Sequence, residues 1–133
     1  MLTRYLQVLI AFAVLDAAWL MGAGARFNQA QFGPLLRPDT QWGPAVLFYV
    51  IYGAAVLLLA VEPARATGRV RDAAWRGALL GLAAYSAFDL TGLALFARWP
   101  VPGAVVDMAW GTFASTAVSG IVVWGARRST ITR

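Results

Sequence analysis

The run GPAVLFYVIYGAAVLLLAV, residues 43–61, contains no charged side chain. As a helix rising 1.5 Å per residue it would be about 28 Å long, close to the roughly 30 Å hydrocarbon thickness of a bilayer. Three more runs of similar character flank it, at residues 5–25, 77–97 and 101–126, and each carries a single acid: Asp16, Asp89 and Asp107. None alternates apolar and polar residues with period 2, as an outer-membrane strand would, so the spans are helical. The expected fold is all-α: a polytopic membrane protein of four transmembrane helices in an antiparallel bundle. The first run lacks the short apolar core and small-x-small cleavage site of a signal peptide, and is expected to be retained as a helix.

Composition supports this class. Hydrophobic residues make up 60% of the 133-residue chain and charged residues 13%, about half the charge of an average soluble domain, at about 25%. A single domain over residues 1–133 has no interior large enough for so many apolar side chains, which leaves lipid as their solvent. The chain has no cysteine and no histidine, and all 11 of its basic residues are arginine. Thiol and imidazole catalysis, disulfides, Schiff bases and most zinc sites are thereby excluded. Carboxylate and tyrosine acid–base chemistry remains, so a non-catalytic role is favoured, with no cofactor and no metal expected. The net charge of +5 does not point to nucleic acid, because the arginines occupy short gaps between apolar runs.

Between the first two runs, residues 26–42 mix Phe27, Phe32, Leu35 and Leu36 with Asn28, Gln29, Gln31 and Arg37. A short interfacial helix broken at Gly33-Pro34 and stopped at Arg37-Pro38 fits this mixture, and so does an ordered loop. The 62–76 connection holds Arg65, Arg69, Arg71 and Arg76, which would face an anionic leaflet and contact lipid headgroups. With four spans, these four arginines share a side with Arg4, Arg127, Arg128 and Arg133, against Arg26, Arg37 and Arg98 opposite. Eight against three places both termini in the cytoplasm. Trp42 and Trp99 then lie near the outer boundary, and Trp75 and Trp124 near the inner one.

The three span acids all fall roughly 9 to 14 Å below the outer boundary at 1.5 Å per residue. Facing lipid, each would cost roughly 2.5 to 3.5 kcal/mol at a helix centre, so they are expected to face inward. Trp19 follows Asp16 by three residues and Trp110 follows Asp107 by three, which puts acid and indole on one helix face. Tyr85 precedes Asp89 by four and Thr91 lies beside it. These residues are the candidate ligand or proton site: Asp16, Trp19, Tyr85, Asp89, Thr91, Asp107 and Trp110. Three separate hydrogen bonds gluing helices together are the structural alternative. Gly77 and Gly81 form a small-xxx-small pair on span three, and Gly111 and Ser115 continue the Asp107 face on span four, which allows close helix packing.

The blocks VLDAAWL (14–20), LFYVIY (47–52), VEPA (61–64), AYSAFDLTG (84–92) and VVDMAWGT (105–112) resemble those of the domain of unknown function 2177 family, small bacterial inner-membrane proteins. Asp16, Asp89 and Asp107 fall on those motif positions. The family name carries no activity. Its members are encoded near genes for unusual membrane fatty acids and oxidative-stress responses, so the resemblance implies a lipid-related role by association. Three functions fit the chain: a protein that binds a lipid or small ligand in membrane-lipid metabolism, an accessory structural subunit of a larger membrane complex, and a small proton-coupled carrier. The corresponding partners are membrane lipids, a second copy in a homodimer, or other membrane proteins, and no nucleic acid.

The arginine count generates a direct test of topology. A reporter fused after residue 133 is expected to be active only on the cytoplasmic side, and one inserted within residues 26–42 only on the outer side. The reverse pattern at either position would overturn the four-span orientation.

Overall fold

A computed structural model describes the backbone of residues 1–131 and the side chains through residue 128. Arg133, counted above with the basic residues near the termini, lies outside the described residues. Among those described there is no strand. Four helices are long and apolar enough to cross a membrane: Leu2–Met21, Trp42–Thr67, Val70–Leu95 and Val101–Arg128. We label the elements α1 (Leu2–Met21), α2 (Ala23–Phe32), α3 (Trp42–Val56), α4 (Glu62–Thr67), α5 (Val70–Leu95) and α6 (Val101–Ile131). A π-helical turn, Leu57–Val61, joins α3 to α4 without a break, so the three form the second span.

Several boundaries differ from those expected from sequence, each for a local reason. The first span ends at Met21, short of residue 25, because Gly22 leaves the helical region (φ −101°, ψ −136°) while its N–H caps the Trp19 carbonyl at 3.2 Å. The chain then re-enters a helix as α2, which stops at a 3₁₀ turn, Gly33–Leu35, where Gly33-Pro34 was expected to break it. The second span runs on to Thr67 despite Pro63. Proline has no N–H and its ring crowds the carbonyl four residues back. The widened turn before it, in which the Glu62 N–H bonds to the Leu57 carbonyl, is where the helix absorbs that defect. The 62–76 connection is consequently not a loop but a two-residue link, Gly68 and Arg69. Arg65 lies on α4, and Arg71 and Arg76 on α5.

The most extensive helix pairing joins α5 to α6, and its seam is made of small residues. A Cβ on Gly77 would collide with the Ser115 carbonyl and come within 2.6 Å of Ser119 Oγ, while one on Gly81 would collide with the Gly111 carbonyl and come within 2.7 Å of Ser115 Oγ. The two backbones therefore touch, as small-xxx-small seams allow in a solvent where apolar burial between helices gains little. Around this pair, Val8 and Phe12 of α1, Tyr52, Val56 and Val61 of the second span, Ala73 of α5, and Ala114 and Val118 of α6 form one buried core.

Both described ends of the chain lie at one end of the bundle, the terminal end. There Arg4 Nε bonds to Glu62 Oε1 at 2.6 Å and Arg65 Nη1 to Glu62 Oε2 at 2.9 Å, tying α1 to α4. At the far end, α2 folds back across the start of α6, with Phe32 against Gly103 and edge-on to Trp99 at 5.6 Å. The outward faces carry exposed Leu6, Ile10, Val14, Leu58, Leu59, Leu79, Phe113 and Ile121. An apolar surface of that extent calls for lipid.

The seam makes a quantitative prediction. Gly81→Ala must push two backbones apart and is expected to destabilise the protein by about 1–3 kcal/mol. Gly43→Ala, where a Cβ meets nothing within 4 Å, is expected to cost nothing. Reversible unfolding in mixed micelles measures both.

Candidate functional site

Asp16 lies on the inward face of α1, half-buried, and joins three spans. Tyr49 Oη of α3 donates to its Oδ2 at 2.5 Å and Trp110 Nε1 of α6 donates to its Oδ1 at 2.9 Å. Both oxygens thus accept from aromatic donors that bring a large apolar body with a single polar atom, a combination suited to the hydrocarbon core. One turn further along α1, Trp19 stacks on Trp110 with ring centroids 4.9 Å apart and planes 17° from parallel. Acid and indole on α1 therefore meet the same residue of α6, as their three-residue spacing allows.

A second cluster forms where α5 turns into α6. Asp89 is fully buried, and its Oδ1 accepts from Trp99 Nε1 at 3.3 Å. The Trp99 ring is held in the turn by Phe32, Phe88 and Phe96, with centroids 5.1 to 5.8 Å away. Asp89 Oδ2 meets no N–H or O–H donor of the described residues. The Asp107 carboxyl lies near that of Asp89 across the helix pair. Two carboxyl groups close a hydrogen bond only when one of them carries a proton, because an ionised carboxylate has nothing to donate.

Asp107 is half-buried and faces two cavities at once. One, of about 360 Å³, lies between Phe48, Ala84, Tyr85 and Phe88; the other, of about 320 Å³, lies beneath Asn28, Phe32, Leu35 and Leu36 with Trp99 at its side. Phe88 stands between them and lines both. A third cavity, of about 420 Å³, opens beside Asp16 and Tyr49 between α1 and α3. The linings are apolar apart from Asn28, Trp99, the tyrosines and these acids.

Tyr85 links the two clusters. Its ring lies directly on Gly111, where a Cβ would strike it, and it is within electrostatic reach of both Asp16 and Asp107. Beside it, Ser115 Oγ donates to the Gly111 carbonyl at 2.7 Å, so the 2.8 Å contact between Tyr52 Oη and Ser115 Oγ has Tyr52 as donor. Of the residues singled out from sequence, the structure brings together Asp16, Trp19 and Trp110 in one cluster and Asp89 with Asp107 in the other, with Tyr85 between them. Thr91 is exposed. Ser86, on the same stretch of α5, bonds back to the Ala83 carbonyl at 3.2 Å. The three acids do not form a group able to hold a metal among the described residues. Arg65, Arg69, Arg71 and Arg76 are exposed at the terminal end.

Sequence reasoning missed Tyr49, Tyr52 and Trp99 as partners of these groups. Tyr49 and Tyr52 are three residues apart on the one charge-free span, a spacing that puts both hydroxyls on one face. That signal was available. The position of Trp99 beside the Pro100 turn points to the membrane boundary, and nothing in its local sequence shows that it turns inward.

These features define a polytopic four-helix membrane protein with carboxyl groups buried in its interior. A family model described as "Predicted membrane protein (DUF2177)" matches residues 1–124, and the chain belongs to that family. The match spans both acid clusters. No curated protein and no solved structure matches the chain.

The Asp16 geometry predicts non-additive mutant effects. Asp16→Ala strands two donors and is expected to cost about 1–3 kcal/mol. Asp16→Asn keeps one acceptor oxygen and should cost roughly 0.6 to 1.7 kcal/mol, the range of intramembrane hydrogen bonds. In a Trp110→Phe background one donor remains, so Asp16→Asn should then cost little. A double-mutant cycle on unfolding free energies measures the coupling.

Proposed function

We propose that this is a non-catalytic lipid-binding protein of the bacterial inner membrane, with both termini cytoplasmic, in which Asp107 receives the polar group of a lipid or lipid-like amphiphile. One observation carries this proposal: Asp107 lines two largely apolar cavities at bilayer depth, whereas Asp16 has its donors within the protein and Asp89 has the Trp99 indole. An acceptor so placed is suited to a hydroxyl or ammonium group. The aromatic walls, Phe48 and Phe88 above all, are suited to the adjoining hydrocarbon. Lipid surrounds the bundle on all sides, so amphiphiles are the ligands at highest local concentration. Tyr85 adds a phenol at the edge of the same cavity, and Asp89 behind it positions the Asp107 carboxyl.

The contact between Asp89 and Asp107 favours a second function, the small proton-coupled carrier. Binding of a cation at Asp107 would compete with any proton shared between the two carboxyls. The two functions share a site and differ in whether occupancy releases a proton.

Native mass spectrometry of gently purified protein tests the site. The wild type is expected to retain lipid, and Asp107→Ala to lose it about tenfold or more, the effect of deleting a charge-assisted hydrogen bond. Asp16→Asn should retain it. Asp107→Asn keeps an acceptor but no charge, so retention there identifies a hydroxyl donor and loss an ammonium group. A lipid-free wild type, or an Asp107→Ala variant that retains lipid as well as the wild type does, would overturn the proposal.

A further inference from the structure

The four arginines expected to meet headgroups separate in the structure. Arg65 lines a cavity of about 100 Å³ together with Gly68, Val123, Ala126 and Arg127, while Arg69, Arg71 and Arg76 are not part of it. The volume is well above the roughly 15 Å³ that one water requires. We propose that Arg65 and Arg127 form a binding site for a phosphate group at the terminal end of the bundle, separate from the acid clusters.

The two guanidinium groups come from helices far apart in sequence, and the fold brings them to one cavity. The second span continues past Pro63 and so carries Arg65 up to the last turns of α6, where Arg127 lies. Gly68 then reverses the chain in a left-handed conformation (φ 64°), which side-chain-bearing residues rarely adopt. That wall of the cavity therefore presents backbone only. Val123 and Ala126 complete the lining with apolar surface and add no counter-charge.

Glu62 is the carboxylate nearest to Arg65. It bonds to Arg65 Nη1 through Oε2, and its other oxygen is occupied by Arg4 Nε. One carboxylate thus faces two guanidiniums, those of Arg4 and Arg65, so it orients Arg65 without neutralising the end of the bundle. Asp72, at the start of α5, is engaged by Thr67 Oγ1 at 2.7 Å. Two arginines from different helices lining one small cavity offer forked N–H donors matched to phosphate oxygens, which a diffuse basic surface does not. The phosphate would belong either to an anionic lipid headgroup or to a free phosphate ion.

Binding of phosphatidylglycerol by native mass spectrometry and of inorganic phosphate by calorimetry tests the site on the full chain in detergent. Arg127→Gln should weaken binding about fivefold, the effect of one basic residue at an anionic surface, and Arg65→Gln with Arg127→Gln together by more. Arg71→Gln, equal in charge but outside the cavity, should leave binding unchanged. Arg127 and Arg71 are both exposed, and thermal unfolding matching the wild type confirms that each variant is folded. Loss confined to the phosphatidylglycerol arm supports the site and identifies a lipid headgroup; loss in the inorganic phosphate arm supports it and identifies free phosphate. The proposal is overturned when neither probe binds the wild type, or when Arg71→Gln and Arg127→Gln weaken binding by the same factor. Neither of those results bears on lipid retention at Asp107.

Discussion

Backbone contact between α5 and α6 at Gly77 and Gly81 governs the rest of the molecule. In lipid, apolar side chains gain little by leaving one apolar neighbour for another, so helices associate through close packing and hydrogen bonds. Here the seam is so close that a single added methyl group at either glycine would meet the opposing main chain. That proximity, together with the tight turn at Trp99 and Pro100, brings Asp89 of α5 level with Asp107 of α6. It also lays the Tyr85 ring on Gly111 and directs Ser115 toward Tyr52.

The acids inside the bundle are answered largely by aromatic donors. Indole and phenol groups reach Asp16 from two helices, and an indole reaches Asp89 from a turn. Tryptophan and tyrosine suit this task because each delivers one hydrogen bond while filling the surrounding space with apolar ring. The result is asymmetric. Each oxygen of Asp16 accepts a hydrogen bond, and together they knit α1, α3 and α6, whereas Asp107 lies near Asp89 and opens on two cavities. That asymmetry is the ground for our proposal that Asp107, and not Asp16, is the binding residue.

The two ends of the bundle are chemically distinct. Asp16, Asp89 and Asp107 gather with Trp19, Trp99, Trp110 and the cavities they line toward the far end, whereas Arg4, Arg65 and Arg127 gather at the terminal end around Glu62 and the close of α6. The π-helical turn matters to both halves. It lets the second span continue past Pro63, so that one helix contributes Tyr49 and Tyr52 to the acid clusters and Arg65 to the basic cavity.

Four apolar runs, three of them with one acid each, determined the helical membrane fold and the number of spans, because the length and apolarity that lipid demands are local properties of sequence. Helical spacing likewise placed Trp19 beside Asp16 and marked Gly77 and Gly81 as packing residues. The small-xxx-small pattern did not say which helix would press against it. Nor did local sequence show that Tyr49 would reach Asp16 across 33 positions, that Trp99 would turn inward, or that Thr91 would face outward. That each of the three acids lies within a span was legible from its place in an apolar run. Their division into an Asp16 held by two donors and a neighbouring pair, Asp89 and Asp107, was not, since it depends on the rotation of each helix about its axis. Only tertiary structure decides that rotation, because it is set by side chains from several helices competing for the same interior space.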